Sequence, residues 1–226
     1  MLRRSPRARA LARAGAFAVA GFVPVLVLAW FVRTNATVQE ADQAVVDAAV
    51  SVTLDNDWLL DTFVVWSAVT QPGWVVLAGG AVALWMWRRH DYPGRALWAV
   101  GTLLASWGLA NLAKEAVGRV RPVVDEVILD APGLSFPSGH ATSAATAAVT
   151  ITLLVWPVLG RVGRVVVPLV ATTFALITAA DRIFLGVHFP SDVVAGILLG
   201  VTISGASYLG YRGWSPTTRT TDAEIR

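Results

Sequence analysis

The chain has 226 residues, of which 55% are hydrophobic and 15% charged. This is the length of a single domain, but it holds too much apolar material for an ordinary soluble core, so the composition indicates an integral membrane protein. The absence of cysteine excludes disulfides, thiolate metal sites and cysteine nucleophiles. The pI near 9.9 does not indicate nucleic acid binding, because the basic residues lie in short loops between apolar runs and form no stripe with interleaved aromatics.

Six apolar runs are candidates for membrane spans, since a hydrocarbon core of about 30 Å needs about 20 helical residues. They cover residues 15–32, 72–87, 96–113, 141–159, 165–180 and 192–209. The first run follows five arginines, as in a signal peptide, but it is longer than a typical signal core and lacks a clear cleavage site, so we expect an uncleaved anchor. We therefore predict an all-α fold, a six-transmembrane-helix bundle over residues 15–210, with a basic tail (1–14) and a polar tail (211–226).

The segment between the first two spans is amphipathic. Its apolar positions at helical spacing are Val38, Ala41, Val45, Ala48 and Val52. Glu40, Asp42 and Asp47 lie elsewhere on the helical turn, which predicts a helix on the outer membrane surface. A second helix, rich in tryptophan, leucine and phenylalanine, follows up to residue 69 and either lies on the surface too or extends the second span.

The basic residues indicate the orientation of the spans. Thirteen of the 18 fall on the side of the N-terminus, which predicts cytoplasmic termini. Of the five on the outer side, Arg33 flanks a helix end. The other four lie in two of three polar blocks at span ends. The blocks are 114–122 (KEAVGRVRP), 137–140 (PSGH) and 182–192 (RIFLGVHFPSD), and the bundle would bring them to one membrane surface. His90 lies in an inner loop, on the opposite side.

Three cations of these blocks suit a phosphate group. Lys114, the sole lysine, and Arg121 are seven residues apart and share a helix face if the third span continues that far. Arg182 arrives from a different helix end. Guanidinium groups bind phosphate oxygens through paired donors and lysine adds a point charge, so the three would bind a tetrahedral dianion. Anchoring to lipid headgroups is the alternative for each cation alone.

The PSGH block precedes a run of small residues that predicts the start of a helix. Ser138 is a candidate N-cap, and the amides of Gly139, His140 and Ala141 would then point at an anion, with the positive end of the helix dipole behind them. Capping alone is the usual role of such a turn.

The third block places His188 and Asp192 four residues apart, on one face of a helical turn. The carboxylate could hold one imidazole nitrogen and so raise the basicity of the other, as a histidine nucleophile requires. The alternative is that Asp192 only caps the helix.

In order and spacing, the three blocks resemble the signature of the type 2 phosphatidic acid phosphatase superfamily: Lys, six residues, Arg-Pro; then Pro-Ser-Gly-His; then Arg, five residues, His, three residues, Asp. The resemblance implies a membrane lipid phosphatase without metal or other cofactor. One position departs from the family pattern, because Asp181 stands where the family usually has serine before the arginine of the third block.

The resemblance also implies a role for each site residue. His188 would attack phosphorus while Asp192 orients it, and His140 would protonate the leaving oxygen and then activate water. Phosphate binding is expected from Lys114, Arg121, Ser138, Gly139 and Arg182.

The expected substrates are phospholipid or polyprenyl phosphates among the membrane lipids, such as undecaprenyl pyrophosphate, phosphatidic acid or phosphatidylglycerol phosphate, hydrolysed at the outer face of a bacterial inner membrane. The alternatives are phosphotransfer to an acceptor alcohol and a catalytically silent lipid-binding protein. Gly196, Gly200 and Ser204, four residues apart, predict close packing of the last helix against either another helix of the chain or a second subunit of a homo-oligomer.

Overall fold

The computed structural model describes residues 6–214, which form eight α-helices and one short 3₁₀ helix and contain no strand. The helices are α1 (Pro6–Thr34), α2 (Ala36–Leu54), α3 (Asp57–Val69), α4 (Pro72–His90), α5 (Pro93–Val117), α6 (Gly139–Val155), α7 (Gly163–Phe184) and α8 (Pro190–Trp214). The all-α prediction is confirmed. Residues 1–5 and 215–226 of the two predicted tails lie outside the described residues.

Five of these helices are long and apolar enough to cross a membrane, namely α1, α5, α6 with the 3₁₀ turn that follows it, α7 and α8. A sixth span results if α3 and α4 count together, since they pass the same test as a pair bent by 58°. Pro72 begins α4, and because proline cannot continue the hydrogen-bond ladder of a preceding helix, the chain breaks at Thr70 and Gln71. The predicted bundle of six spans is therefore confirmed, with the second span broken.

Helices α1 and α8 pack antiparallel along their length. Ala10 lies against Gly213, and Phe17 lies against Gly205, so the start of α1 and the end of α8 are at the same end of the bundle. The glycines of α8 permit this close approach, as small residues do between membrane helices.

A second glycine seam joins α8 to α6. A Cβ added to Gly196 would lie 2.7 Å from the Ser138 carbonyl oxygen, and one added to Gly200 would lie 2.6 Å from that of Thr142. The neighbour predicted for these glycines is therefore α6 of the same chain. The Ser138 N–H also donates to the Asp192 carbonyl oxygen at 3.0 Å, which holds the first turns of α6 and α8 together.

Helix α2 presents its predicted apolar face outward, since Val45 and Val52 are 49% and 47% exposed. The opposite face packs on the protein: Val46 and Val50 form a core cluster with Phe189, and the Thr53 hydroxyl donates to the Phe184 carbonyl oxygen at 2.8 Å. Asp42, grouped by the sequence with the polar positions, lies on this buried face. Helix α2 therefore reaches the junction between α7 and α8.

Candidate active site

A cavity of about 350 Å³ lies at the end of the bundle where α5 and α7 end and α6 and α8 begin. It is lined by both predicted site histidines and two of the predicted cations, together with the break between α3 and α4 and the loop before α6. The lining side chains that bear polar groups include His140, His188, Arg121, Arg182, Ser67 and Gln71. The three polar blocks of the sequence thus meet at one place.

His188 lies in the turn between α7 and α8 and is 3% exposed. Its Nε2 is 3.3 Å from Nη1 of Arg121, and its Nδ1 is 3.5 Å from Oδ2 of Asp192, within ion-pair range but without a hydrogen bond. Burial lowers the pKa of His188 to about 4, and the positive charges of Arg121 and Lys114 act in the same direction, while Asp192 opposes them. The imidazole is therefore neutral at pH 7.

Asp192 occupies the first turn of α8 and is fully buried. Its Oδ2 accepts the Phe189 backbone N–H at 3.0 Å, so the carboxylate does cap the helix, as the alternative for this residue supposed. The same oxygen is the one nearest His188. Capping and contact with the imidazole are therefore combined in one carboxylate.

His140 lies in the first turn of α6 and faces the same cavity as His188. Its Nε2 is buried and has no hydrogen-bond partner among residues 6–214. A buried polar atom without a partner is costly in a folded protein, and a catalytic role is one explanation for such an atom.

Arg121 reaches the cavity from a loop and not from a helix. Helix α5 ends at Val117, because Gly118 adopts a left-handed conformation with φ of +68°. The condition under which Lys114 and Arg121 would share a helix face, a third span that continues as far as Arg121, is therefore not met. The Arg121 guanidinium is held by backbone carbonyls, with Nη1 donating to Val187 at 2.6 Å and Nε to Gly133 at 3.2 Å. Burial lowers the pKa of Arg121 from its ordinary value.

Lys114 is less central than predicted. It is not among the residues that line the cavity within the described chain, and its Nζ donates to the Leu134 carbonyl oxygen at 2.7 Å. It nevertheless lies beside the PSGH turn, since a Cβ added to Gly139 would be 3.9 Å from the Lys114 Cε.

Ser138 is the N-cap of α6, which confirms that prediction, and its hydroxyl oxygen accepts the Ala141 N–H at 3.4 Å. The Ala141 amide is therefore occupied, contrary to the expectation that it faces an anion. Neither Ser138 nor Gly139 lines the cavity itself within the described residues.

Arg182 lies in the last turn of α7 and forms a two-point ion pair with its neighbour. Its Nε and Nη2 each donate to one oxygen of Asp181 at 2.7 Å, and both side chains are buried. The residue that replaces the usual serine of the family pattern thus provides the countercharge for a cavity cation.

Sequence reasoning missed several residues at this site. Arg119 was counted among the four outward cations of the polar blocks, but nothing in its sequence context indicated a role for it. In the structure it is buried and contacts Asp192 and Asp42. Ser67 and Gln71 line the cavity from the α3–α4 break, where no sequence signal pointed to a site. Across residues 6–214, no group of three His, Asp or Glu side chains is arranged to hold a metal ion.

The family model of the PAP2 superfamily matches residues 95–215. The chain is 39% identical over 135 residues to decaprenylphosphoryl-5-phosphoribose phosphatase of Mycobacterium tuberculosis, covering 58% of this chain and 67% of the relative. It is 30% identical over 196 residues to phosphatidylglycerophosphatase B of Bacillus subtilis, covering 80% of this chain and 88% of the relative.

A crystal structure of a transmembrane PAP2 type phosphatidylglycerolphosphate phosphatase from Bacillus subtilis superimposes with a TM-score of 0.72 at 27% identity. The match covers 84% of this chain and 94% of that one. These relatives, the apolar helices and the family match over more than half of the chain establish a multi-pass membrane protein and phosphoric ester hydrolase that belongs to the PAP2 superfamily.

Proposed function

We propose that this protein hydrolyses lipid phosphate monoesters or pyrophosphates through a phosphohistidine intermediate. The observation that carries the proposal is the convergence of two histidines and two arginines from separate helices on one cavity. Phosphoryl transfer depends mainly on positioning and on stabilising the charge of the transition state. Side-chain cations supply that charge here, and the histidines supply a nucleophile and an acid.

The proposed roles follow the geometry of the site. Nε2 of His188 attacks phosphorus, while Asp192 on the other side of the ring orients the imidazole and stabilises its positive charge. His140 protonates the leaving oxygen and then takes a proton from the water that hydrolyses the phosphohistidine. Its Nε2, buried without a partner, is the atom assigned to this proton transfer.

Phosphate binding is assigned to the predicted cations and to the start of α6. Arg121 and Arg182 contact the phosphate from the cavity wall. Nε and Nη2 of Arg182 donate to Asp181, and Nη1 is assigned to the phosphate. Lys114 acts from behind the PSGH turn as a point charge. Ser138 and Gly139 fix the start of α6, so its dipole is directed at the phosphate.

The substrate class rests on the membrane location of the site and on the relatives, which are named as phosphatases of decaprenylphosphoryl-5-phosphoribose and of phosphatidylglycerophosphate. A chain whose site lies at the end of spanning helices meets phosphate groups carried by lipids. Phosphatidic acid, phosphatidylglycerol phosphate and undecaprenyl pyrophosphate are therefore the substrates to test first.

The purified protein is expected to release phosphate from at least one member of this lipid panel, with activity unchanged by EDTA. Vanadate is expected to inhibit, because it adopts the five-coordinate geometry of phosphorus in the transition state. Each of these results is checked by measuring the inorganic phosphate released from lipid micelles. Loss of activity in EDTA with recovery on adding a divalent ion would instead favour a metal-dependent reaction with His140, His188 and Asp192 as ligands.

The site is proposed to face away from the cytoplasm, with both termini inside a bacterial inner membrane. The excess of arginine in the segments on the side of the N-terminus supports this orientation, and the antiparallel packing of α1 and α8 supports a location of both termini on one side. A reporter fused after Arg226 is expected to behave as cytoplasmic, and one fused after Glu126 as translocated. The opposite pair of results would invert the proposed topology.

A further inference from the structure

We propose that Arg119 and Asp42 are positioning residues that hold Asp192 against His188, so that phosphoryl transfer depends on helix α2. The inference rests on the proposed roles of His188 and Asp192. It concerns two residues that lie outside the Lys-x6-Arg, PSGH and Arg-x5-His-x3-Asp positions, and Asp42 also lies outside the segment 95–215 that the family model matches.

Arg119 lies between two buried carboxylates. Its Nη1 donates to Oδ1 of Asp192 at 2.7 Å, and its Nη2 donates to Oδ2 of Asp42 at 2.7 Å. The side chains of the three residues are at most 8% exposed. The guanidinium also lies over the Phe189 ring, 3.8 Å from its centroid, a cation–π contact that further stabilises its position.

The two oxygens of Asp192 are engaged by different partners. Arg119 binds Oδ1, while Oδ2 accepts the Phe189 N–H and lies 3.5 Å from Nδ1 of His188. With Oδ1 held by a charge-assisted bond, the carboxylate cannot rotate away from the imidazole without breaking it. Arg119 thus sets the orientation of the group that orients the nucleophile.

Asp42 fixes Arg119 from α2 and fixes the start of α8 as well. Its Oδ1 accepts the Ser191 N–H at 3.1 Å, and its Oδ2 accepts both the Ser191 hydroxyl and Arg119. The Ser191 hydroxyl oxygen in turn accepts Nη1 of Arg119 at 2.7 Å. One carboxylate from α2 therefore ties the loop after α5 to the first turn of α8, directly behind the catalytic pair.

Arg119 acts through Asp192 and not on the phosphate. It is not among the residues that line the catalytic cavity in the described chain, whereas Arg121, two positions on, is. Removing one member of a buried charged network leaves the others without their countercharge, which favours rearrangement of the remaining carboxylate. The displaced group would be Asp192, whose contact with His188 the reaction requires.

The test is a double-mutant cycle measured as phosphate release from phosphatidic acid micelles. Arg119→Gln is expected to lower kcat by about 10- to 100-fold, as loss of a partner that orients a functional ligand typically does, with KM nearly unchanged. In an Asp192→Asn background, the same substitution is expected to cost less than about threefold, because the interaction it removes is already lost. Arg119→Lys, which keeps the charge, should recover part of the activity.

Asp42→Asn keeps the shape of the side chain and is expected to lower kcat in the same non-additive way. If Arg119→Gln does not yield a monodisperse protein, Asp42→Asn and Arg119→Lys are used for the test in its place. Matched controls are Asp47→Asn on the exposed face of α2 and Arg33→Gln at the end of α1, both expected to retain full activity.

Three results would overturn the inference: full activity in Arg119→Gln, an effect confined to KM, or costs that multiply in the double mutant. Full activity would show that Arg119 is dispensable, and an effect confined to KM would show that it binds the phosphate. Costs that multiply would show that it acts independently of Asp192. Failure of the proposed function would look different, because the wild type would then release no phosphate from the lipid, and failure of the role assigned to Asp192 would leave Asp192→Asn fully active.

Discussion

His188→Ala is expected to abolish both turnover and the covalent phosphoenzyme. Nε2 of His188 is the nitrogen assigned to attack phosphorus, and the chain has no cysteine that could replace it. His140, the other histidine of the cavity, has no carboxylate assigned to orient it. Loss of the nucleophile should therefore leave no route through a covalent intermediate.

The protonation state of His188 supports this role and predicts its pH dependence. Burial lowers its pKa to about 4 from an ordinary value of about 6.5, so the nitrogen lone pair is available throughout the neutral range. Protonation removes that lone pair as the pH falls through the lowered pKa. We therefore expect phosphoenzyme formation to persist at pH 6.5 and to be lost only at a pH well below that value.

Rapid-quench labelling with a lipid substrate that carries labelled phosphate measures the intermediate directly. The wild type should show acid-labile, base-stable label on the protein, as expected for a phosphorus–nitrogen bond to histidine. His90→Ala is the matched control, because His90 is exposed at the end of α4 farthest from the cavity, where its ring packs against Trp85. Label that persists in His188→Ala would refute the assignment of the nucleophile.

His140→Ala is expected to slow hydrolysis of a lipid phosphate by about 100- to 10,000-fold, the range typical of general acid catalysis. An alkoxide is a poor leaving group, so its departure depends on the proton that His140 donates. An aryl phosphate with a low-pKa phenol needs no such proton, and the defect in phosphoryl transfer should shrink for that substrate. The same variant lacks the base for water activation, so phosphoenzyme should accumulate.

Comparing the two histidine variants across a series of leaving groups separates their roles. The defect of His140→Ala should decrease as the pKa of the leaving group falls, whereas His188→Ala should gain nothing from an activated substrate. Equal insensitivity of the two variants to leaving-group pKa would contradict the division into acid and nucleophile. Labelled enzyme in His140→Ala but not in His188→Ala would agree with it.

The location of the spans could be predicted from the sequence because membrane insertion depends on local composition. Long apolar runs must form helices in a bilayer, where backbone groups find no water, so hydropathy alone places them. Each helix also extends beyond its predicted run at one end or both, since polar residues at the membrane surface continue the backbone ladder. The sequence predicted the boundary between residue 69 and Pro72 but left open whether the helices on either side share one span, because a proline marks a boundary without deciding that question.

The catalytic candidates could also be predicted, because His140, His188, Arg121, Arg182 and Asp192 stand in spaced motifs at span ends. Bundle topology brings such ends together without further information. How each side chain arrives was not predictable: Arg121 comes from a loop because Gly118 ends α5, and Lys114 lies outside the cavity wall. Those outcomes depend on single backbone conformations that hydropathy does not encode.

The sequence by itself determined the fold class, the number of spans and the identity of the converging motifs, since each depends on local patterns of charge and hydropathy. Only the tertiary structure decided which buried residues contact the side chains of these motifs. Asp42 reads as one more polar residue on an amphipathic helix, yet it is buried against Arg119, which itself contacts Asp192. Arg119 and Asp42 are 77 positions apart in the sequence, and Arg119 and Asp192 are 73 positions apart. Both contacts depend on how α2, the loop after α5 and α8 pack together, and that packing arises only when the bundle is assembled.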